Sequence, residues 1–305
     1  MEHFQKIELR RTRDFGEKFN ATFEFIRQNY KGFMPAVIYF SVPLIVIGMV
    51  ILSYYTNFTL YQDAGTYGAK GNVFGMMGNF FGYALIAYVF IIAGYLINTS
   101  LVYNYMKMYL SHDNPTTITP GELWDRSKKD IGNIFISSLL VGLVVVIGVL
   151  FLVIPGIYMG ITLSLIIPII IFEQKSVGDA FGRCFYLIKD KWWSTFGLLF
   201  VAGLLQGAMG FIFNIPEVIL SVIFTINRTS SDFLSDPPLW QKGALIISSC
   251  IKAIGTGLLA CISFIAIAFQ YFNLVERREA SGLMNQIEGF GSTPTSTQQD
   301  PKETY

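Results

Sequence analysis

Few side chains of this protein have the chemistry and spacing that a catalytic or metal site requires. Its 305 residues include only two histidines, His3 and His112, and three cysteines that match no metal-binding pattern. Ionisable residues inside long apolar segments are functional candidates by default, and Glu217 and Lys252 are the two that lie in or beside such segments. Counting residues along the predicted helices places both at about the same depth, just outside the hydrocarbon core. We therefore expect an ion pair, with the two charged groups within about 8 Å of each other.

A second polar group surrounds Glu173, where another apolar segment ends. Ser176 and Asp179 have the spacing of a capping box, in which side chains satisfy free backbone N–H groups at a helix start. Arg183 and Lys189 follow on the helix that this box would begin, so either could pair with the Glu173 carboxylate. We expect a helix cap with an ion pair, and a site for a lipid headgroup is the functional alternative. No catalytic residue and no cofactor is assigned, and the protein is expected not to be an enzyme.

The elements that position these residues are predicted to be transmembrane helices. Hydrophobic residues make up 52% of the chain and charged residues 14%, whereas soluble domains contain about 25% charged residues. The apolar residues come in blocks of about 20 or more, which is the helix length that crosses a bilayer core. The net charge of +1 gives no sign of nucleic-acid binding. We predict an all-α, polytopic membrane protein with six transmembrane helices, at Phe33–Tyr55, Gly82–Met106, Ile131–Val153, Gly156–Phe172, Trp193–Asn214 and Ala253–Val275.

The distribution of Lys and Arg predicts how these helices are oriented. Of the 22 Lys and Arg residues, 18 lie in the N-terminal segment, in the second and fourth loops or in the C-terminal tail. An excess of basic residues marks the cytoplasmic side of a membrane protein, so both termini are expected in the cytoplasm. The predicted domains are a cytoplasmic segment at 1–32, a transmembrane domain at 33–275, and a cytoplasmic tail at 276–305 that is disordered after about residue 286.

Pro155 and Gly156 interrupt the longest uncharged segment, which runs for 42 residues from Ile131 to Phe172. A single helix of that length would be about 63 Å long, roughly twice the thickness of the hydrocarbon core. Counting about 20 residues inward from either end reaches this dipeptide. We therefore predict that it forms a hairpin turn at the outer surface, between the third and fourth transmembrane helices.

Small residues follow this turn along the fourth predicted helix. Gly156, Gly160, Ser164 and Pro168 recur every four residues, and small residues at this spacing let another helix approach closely. We expect them to form a helix-packing face, with a kink at Pro168. Two further pairs have the same spacing, and three amides are expected to make interhelical hydrogen bonds: Gly78/Gly82, Gly203/Gly207, and Asn98, Asn104 and Gln206.

Three segments on the basic side share one pattern, in which a capping box is followed by an amphipathic helix and a transmembrane hairpin. The boxes begin at Asp14, Thr119 and Ser176. We predict three hairpins, each preceded by a cytoplasmic amphipathic helix whose basic end lies near anionic headgroups. The alternative is that these helices only cap the bundle. The apolar faces of the first and third helices are predicted to be Phe15, Phe19, Phe23, Ile26 and Tyr30, and Val177, Ala180, Phe181, Cys184, Phe185 and Ile188.

Residues 150–197 carry a longer signature: an "iPGiy" turn, a span that ends in Pro and Glu, and then Ser, Ala, Arg and two aliphatic residues. The matching positions are Ile154, Pro155, Gly156, Ile157, Tyr158, Pro168, Glu173, Ser176, Ala180, Arg183, Leu187 and Ile188. The stretch resembles six-helix bacterial membrane proteins that include the YciC-like proteins, the DUF975 proteins and the membrane domain fused to some glycerophosphodiester phosphodiesterases. This resemblance implies a multi-pass protein of the bacterial inner membrane. The soluble phosphodiesterase domain has no counterpart in this chain, so that activity is not implied.

Two functions remain open from the sequence. The first is a non-enzymatic inner-membrane scaffold or accessory subunit, because residues 218–226 and 244–251 are apolar, would project past the membrane, and so could bind a partner protein. The second is a transporter or channel for a lipid-like or neutral solute. The predicted repeats are parallel rather than inverted, and no charge network is predicted inside the membrane, so ion-coupled transport is disfavoured.

Overall fold

The computed structural model describes residues 6–59, 73–111, 118–230 and 238–280. The secondary structure in these ranges is helical, and no strand occurs among them. The predicted disorder after residue 286 lies outside the described residues. The α-helices of these ranges are α1 Phe15–Ala36, α2 Val42–Tyr54, α3 Val73–Ser111, α4 Pro120–Ser127, α5 Ile131–Phe151, α6 Val153–Leu163, α7 Ile166–Glu173, α8 Val177–Ile188, α9 Trp192–Ser230 and α10 Leu239–Glu279.

Six helical segments of the described chain are long and apolar enough to cross a membrane, which confirms the prediction of an all-α chain with six such helices. They are Phe15–Asn57, Val73–Ser111, Ile131–Phe151, Val153–Glu173, Trp192–Phe224 and Leu239–Glu279. Several are much longer than predicted. Helices α9 and α10 have 39 and 41 residues; a helix of 40 residues is about 60 Å long, whereas the hydrocarbon core is about 30 Å thick.

The long helices contact one another near both ends of the helical bundle, which we call the basic end and the far end. At the basic end lie the start of α1, the end of α3, the start of α9 and the end of α10. There Phe25 packs edge-on against Tyr109 with ring centroids 5.1 Å apart, and the Arg13 backbone N–H donates to Asn273 Oδ1 at 2.8 Å. At the far end lie the end of α2, the start of α3, the end of α9 and the start of α10.

Glycines and polar side chains hold α2, α3 and α10 close together. A Cβ at Gly94 would lie 2.5 Å from Ile45 Cγ1, so only glycine permits this approach of α3 to α2. The Ser41 hydroxyl donates to the Gly94 carbonyl at 2.9 Å. Asn98 donates to the Gly257 carbonyl of α10 at 2.8 Å, as expected for an interhelical amide. The contacts therefore join three helices at one level.

The first helix does not separate an amphipathic segment from a transmembrane segment. Helix α1 runs through the predicted boundary at residue 32 and continues by a π-helical segment, Val37–Ser41, into α2. Pro43 explains the π-helical turn, because its ring excludes the carbonyl four residues earlier and it has no N–H to donate. The predicted apolar face of α1 points largely outward, with Phe15, Phe23 and Tyr30 exposed.

The turn between α5 and α6 lies at Leu152, three residues before the predicted Pro155-Gly156 turn. Leu152 is the single extended residue between the two helices, with φ −163° and ψ 143°. Pro155 lies in the first turn of α6, where backbone N–H groups have no intrahelical acceptor, so a proline there costs no hydrogen bond. The chain reverses tightly, since a Cβ at Gly148 would lie 2.9 Å from the Gly156 Cα. Gly156 is thus a packing residue, as predicted, against α5.

The predicted face from Gly156 to Pro168 does not lie on one helix. A turn at Ser164 and Leu165 separates α6 from α7. Pro168 is the cause, because its ring excludes the Ser164 carbonyl that would otherwise accept its hydrogen bond. Ser164 instead donates its hydroxyl to the Ile161 carbonyl at 2.7 Å, and a Cβ at Gly160 would meet only Val145 at an ordinary 3.7 Å. The proline therefore interrupts the helical hydrogen bonds at residues 164 and 165, within the apolar segment Val153–Glu173.

The hairpin of α5 and α6 turns sideways toward the basic end. Both helices contact α8, and α6 also contacts α9. Trp192, the first residue of α9, donates its indole N–H to the Tyr158 carbonyl at 3.3 Å, and the two rings stack 5.6 Å apart. Leu152 is only six residues beyond Tyr158, about 9 Å along a helix, whereas crossing the core requires about 30 Å. The turn is therefore in the basic half of the molecule and not at the opposite surface, where we predicted it.

This position of the turn predicts how a cysteine at Leu152 reacts. In the variant Leu152→Cys, we expect no labelling by a membrane-impermeant maleimide added from the far-end side of sealed vesicles. Leu239→Cys, at the exposed far-end start of α10, should label from that side above the level of the unsubstituted chain. Equal labelling of both variants from the far-end side would show that the hairpin crosses the membrane.

Candidate functional site

The Glu173 carboxylate is the centre of an ion-pair cluster at the basic end. Both of its oxygens accept from Arg183 Nε at 3.0 Å. The Tyr271 hydroxyl donates to Glu173 Oε1 at 3.0 Å, and Lys175 Nζ lies 3.3 Å from Glu173 Oε2. The Arg183 guanidinium also pairs with Glu279. We call these five residues the Glu173 cluster; they join the end of α7 to α8 and to the end of α10.

Local sequence explains how Glu173 and Arg183 meet. Helix α7 ends at Glu173, and Gln174 turns the chain with φ 55°. The next helix is capped as predicted, because the Asp179 backbone N–H donates to Ser176 Oγ at 3.2 Å. The Ser176 hydroxyl in turn donates to Asp179 Oδ2 at 2.6 Å. The cap begins α8 next to Glu173, and the first two turns of α8 then bring Arg183 back to it.

Charge pairing has a clear electrostatic effect on Arg183. Its hydrogen bond to Glu279, and after it the bond to Glu173, raise the pKa of Arg183 above its ordinary value, although burial opposes this. The alternative partner, Lys189, does not take the place of Arg183, and its carbonyl accepts a hydrogen bond from Arg278 at 2.7 Å. Arg183 is therefore a permanent cation that bridges two carboxylates.

The apolar face of α8 packs inward, against the bundle. Ala180, Cys184 and Ile188 are buried, and Phe181 and Phe185 are partly buried against the same core. Burial raises the pKa of the Cys184 thiol to about 12. This face therefore anchors α8 against α7 and the α5–α6 hairpin, and Cys184 is a packing residue.

A cleft of about 560 Å³ opens beside the Glu173 cluster. Sequence reasoning found Glu173 and Arg183 but missed Arg10, Lys107 and Tyr271, which also line this cleft. The cleft-lining residues come from the N-terminal segment and from α3, α7, α8 and α10, far apart in the chain. No local spacing could have revealed them.

The extended N-terminal segment carries Arg10 into position. The Ile7 backbone N–H donates to the Tyr109 hydroxyl at 2.7 Å, and Leu9 is buried. The Arg13 guanidinium lies 5.1 Å from the centre of the Phe269 ring and donates to the Leu9 carbonyl at 3.1 Å. Burial lowers the pKa of Arg13. These contacts fasten residues 7–13 across the ends of α3 and α10.

The second predicted pair lies toward the far end, between α9 and α10. Lys252 Nζ is 3.1 Å from Glu217 Oε2, so the expected contact is present. The Ser53 hydroxyl donates to Glu217 Oε1 at 2.9 Å, and Ser221 donates to Asn57 Oδ1 at 3.1 Å. Ser53, Glu217 and Lys252 border a cavity of about 220 Å³.

Among the residues that the structure describes, no group of three or more His, Cys, Asp or Glu is placed to hold a metal ion.

The predicted amides Asn104 and Gln206 make hydrogen bonds between segments. Asn104 donates to Asp130 at 2.9 Å, and Gln206 accepts from Ser263 at 2.6 Å. The described arrangement of the Glu173 cluster is suited to electrostatic binding and to fastening helices together.

We expect the Glu217–Lys252 pair to contribute measurably to stability. Both side chains are largely buried, with 13% and 29% exposed, so we predict a coupling free energy of about 1–2 kcal/mol, between the values for exposed and buried pairs. The measurement is a double-mutant cycle of Glu217→Gln and Lys252→Met, followed by reversible unfolding in mixed micelles. Strict additivity of the two substitutions would show that the pair is not coupled.

The cysteines provide a test of the packing of α8. Only the thiolate reacts with maleimides, and burial raises the pKa of Cys184 to about 12, so its thiolate is scarce at pH 8. We expect N-ethylmaleimide to modify half-buried Cys250 first and to modify Cys184 only after denaturation, as read by peptide mass spectrometry. Rapid modification of Cys184 in the folded protein would contradict the inward packing of α8.

Comparison of this chain with family models, with curated proteins and with solved structures finds no match.

Proposed function

We propose that this protein is a non-enzymatic integral membrane protein, a scaffold or accessory subunit of a membrane complex. The partner that we propose is another membrane protein, bound through one of its transmembrane helices. The observation that carries this proposal is a continuous outward-facing stripe on α9, which has small residues at one level and large apolar residues beyond them.

The first part of the stripe consists of two glycines inside the predicted membrane span. An added Cβ at Gly203 or Gly207 would meet nothing within 4 Å, so none of the helices that the structure describes occupies this surface. Small residues four apart on a transmembrane helix let a second helix approach its backbone. This open surface therefore favours a helix from outside the chain.

The second part of the stripe continues toward the far end and turns gradually around α9, by about 140° between Gly203 and Ile226. Phe211, Val218, Val222 and Ile226 are 52–63% exposed and recur at intervals of four or seven residues. Helix α9 begins beside the charged turn at 189–191, and about 20 of its residues cross a bilayer core. The later residues thus extend past the core, where water would contact their apolar side chains unless a partner covers them.

Residues 244–251 of α10 extend the proposed surface. Ile247 and Ile251 are exposed, whereas Leu245 packs against Phe224 of α9. The two helices thus support each other through one side and offer apolar side chains on the other. This arrangement supports the predicted partner regions at 218–226 and 244–251.

The proposal also includes the membrane in which the protein lies and the direction in which it is inserted. We propose the bacterial inner membrane, with the basic end and both termini in the cytoplasm, from the Lys and Arg distribution and from the resemblance of residues 150–197 to the six-helix family. Three units, each an N-terminal helix followed by a hairpin, remain the proposed architecture. The contact between Tyr158 and Trp192 supports a middle hairpin that enters from the cytoplasmic side and returns to it.

Transport of a lipid-like or neutral solute is the second candidate function. Its support is the cavity of about 220 Å³ beside Glu217 and Lys252, because ionisable groups near the membrane often mark a solute path. We rank it second because the two charges form an ion pair at 3.1 Å, and Glu217 Oε1 also accepts from Ser53.

The α9 stripe predicts a selective effect of leucine at its glycines. The variant Gly203→Leu/Gly207→Leu should fold as well as the natural chain, because an added Cβ meets no neighbour within 4 Å at either position and leucine favours helix more than glycine does. Photo-crosslinking from Val218 should trap one partner in the natural chain, and the variant should lose at least 90% of that product.

Gly142→Leu on α5 is the matched control, because Gly142 is equally open but lies on a different helix and has no glycine four residues before or after it. It should keep the crosslinked product. Purification of the natural chain in mild detergent as a bare monomer, with no crosslink from Val218, would refute the scaffold proposal.

A further inference from the structure

The cleft beside the Glu173 cluster contains more positive than negative charge. Four cations and two carboxylates line it: Arg10, Lys107, Lys175 and Arg183 against Glu173 and Glu279. Both carboxylates are paired with Arg183, and Glu173 is also paired with Lys175. Two positive charges are therefore left without an anionic partner inside the cleft.

Those two charges belong to Arg10 and Lys107. Lys107 Nζ donates to the carbonyl of Ile171, which is a neutral acceptor, and the carboxylate that acts on this ammonium, that of Asp130, does not line the cleft. Arg10 is exposed, and within the described ranges it has no hydrogen bond or ion pair. Two cations that face one cleft repel each other, so an anion bound between them would be attracted to both and would offset this repulsion.

The floor of the cleft is apolar and aromatic. The Phe172 ring stacks on the Tyr271 ring with centroids 5.4 Å apart and tilts against Phe272 at 4.7 Å. Leu110 and Val275 complete this floor. A ligand that fits therefore has an anionic part for the rim and an apolar part for the floor.

We propose that this cleft binds one anionic phospholipid, with the headgroup phosphate held between Arg10 and Lys107 and the glycerol and first acyl carbons on the Phe172 and Phe272 rings. Arg binds phosphate oxygens through a planar fork and Lys as a point charge, so the two types combine well. The volume of about 560 Å³ lies within the usual range for small-molecule pockets, about 300–1,000 Å³.

The Glu173 cluster gives the cleft its shape and selectivity. Arg183 and Lys175 are held by carboxylates, so they fix one wall without competing for the phosphate. The two carboxylates and the two cations of that wall balance each other, which leaves the rim of Arg10 and Lys107 as the anion site. The N-terminal segment contributes Arg10, so binding should also hold residues 7–13 in place.

The experiment is native mass spectrometry of the full chain in a mild detergent, with dioleoyl phosphatidylglycerol added and dioleoyl phosphatidylcholine as the zwitterionic comparison. We expect the natural chain to retain one phosphatidylglycerol at a tenfold lower lipid concentration than phosphatidylcholine. The variant Arg10→Gln/Lys107→Gln should lose this preference. The matched control Arg27→Gln/Lys31→Gln removes the same charge from α1, outside the cleft, and should keep it.

Two further measurements distinguish a specific loss of lipid binding from unfolding of the variant. Protection of Cys184 from N-ethylmaleimide reports whether each variant is folded, and Arg10→Gln alone, which removes only an exposed side chain, should weaken the preference severalfold. Equal phosphatidylglycerol binding by the natural chain and the cleft variant would overturn the proposal. So would displacement of the lipid by millimolar inorganic phosphate, because the site would then recognise free phosphate. Loss of the Val218 crosslink has no bearing here, since the α9 stripe lies elsewhere.

Discussion

The arrangement of the middle of the chain depends on one carboxylate, that of Glu173. It ends an apolar helix, and a charged group at that point must have partners or stay in contact with water. Arg183, Lys175 and Tyr271 supply the partners, and each comes from a different segment. The pairing fixes α8 against the end of α10, and the turn that follows α8 then fixes where α9 begins. The position of Trp192, and through it that of Tyr158 and the α5–α6 hairpin, follows from this pairing.

Local chemistry was sufficient to predict some of this arrangement. The caps at Thr119 and Ser176 depend only on residues three positions apart, and both are present. The contact of Glu217 with Lys252 was found by counting helical rise, because both helices there are continuous. Counting failed for Pro155 and Gly156 because it assumed that the chain crosses the membrane in straight helices. Pro168 interrupts the helical path between α6 and α7, and the direction of α6 depends on tertiary contacts with α8 and α9, which no local pattern contains.

Glycine spacing shows the same limit of sequence reasoning. Gly94 and Gly156 allow close packing within the chain, whereas Gly203 and Gly207 face open space. All four belong to segments of similar composition, and residue type alone does not say which helix, if any, will occupy the space beside a glycine. The distinction comes from the lengths and directions of the neighbouring helices. It also separates glycines whose replacement should unfold the protein from glycines whose replacement should affect only association.

The two ends of the molecule are held together by different forces, and this division bears on how they could work. The basic end is dense, with buried aromatic rings such as Tyr105 and Tyr109 and with ion pairs that join distant segments. Toward the far end, α9 and α10 share a small apolar contact at Phe224 and Leu245 and expose much of their remaining surface. The two ends make unequal demands on a ligand, because immobilising exposed side chains costs conformational entropy. We therefore expect a lipid to bind the basic end at little such cost, whereas a partner helix at the far end would immobilise the exposed side chains that it covers. Large apolar contact area is the compensation that the proposed α9 stripe would offer.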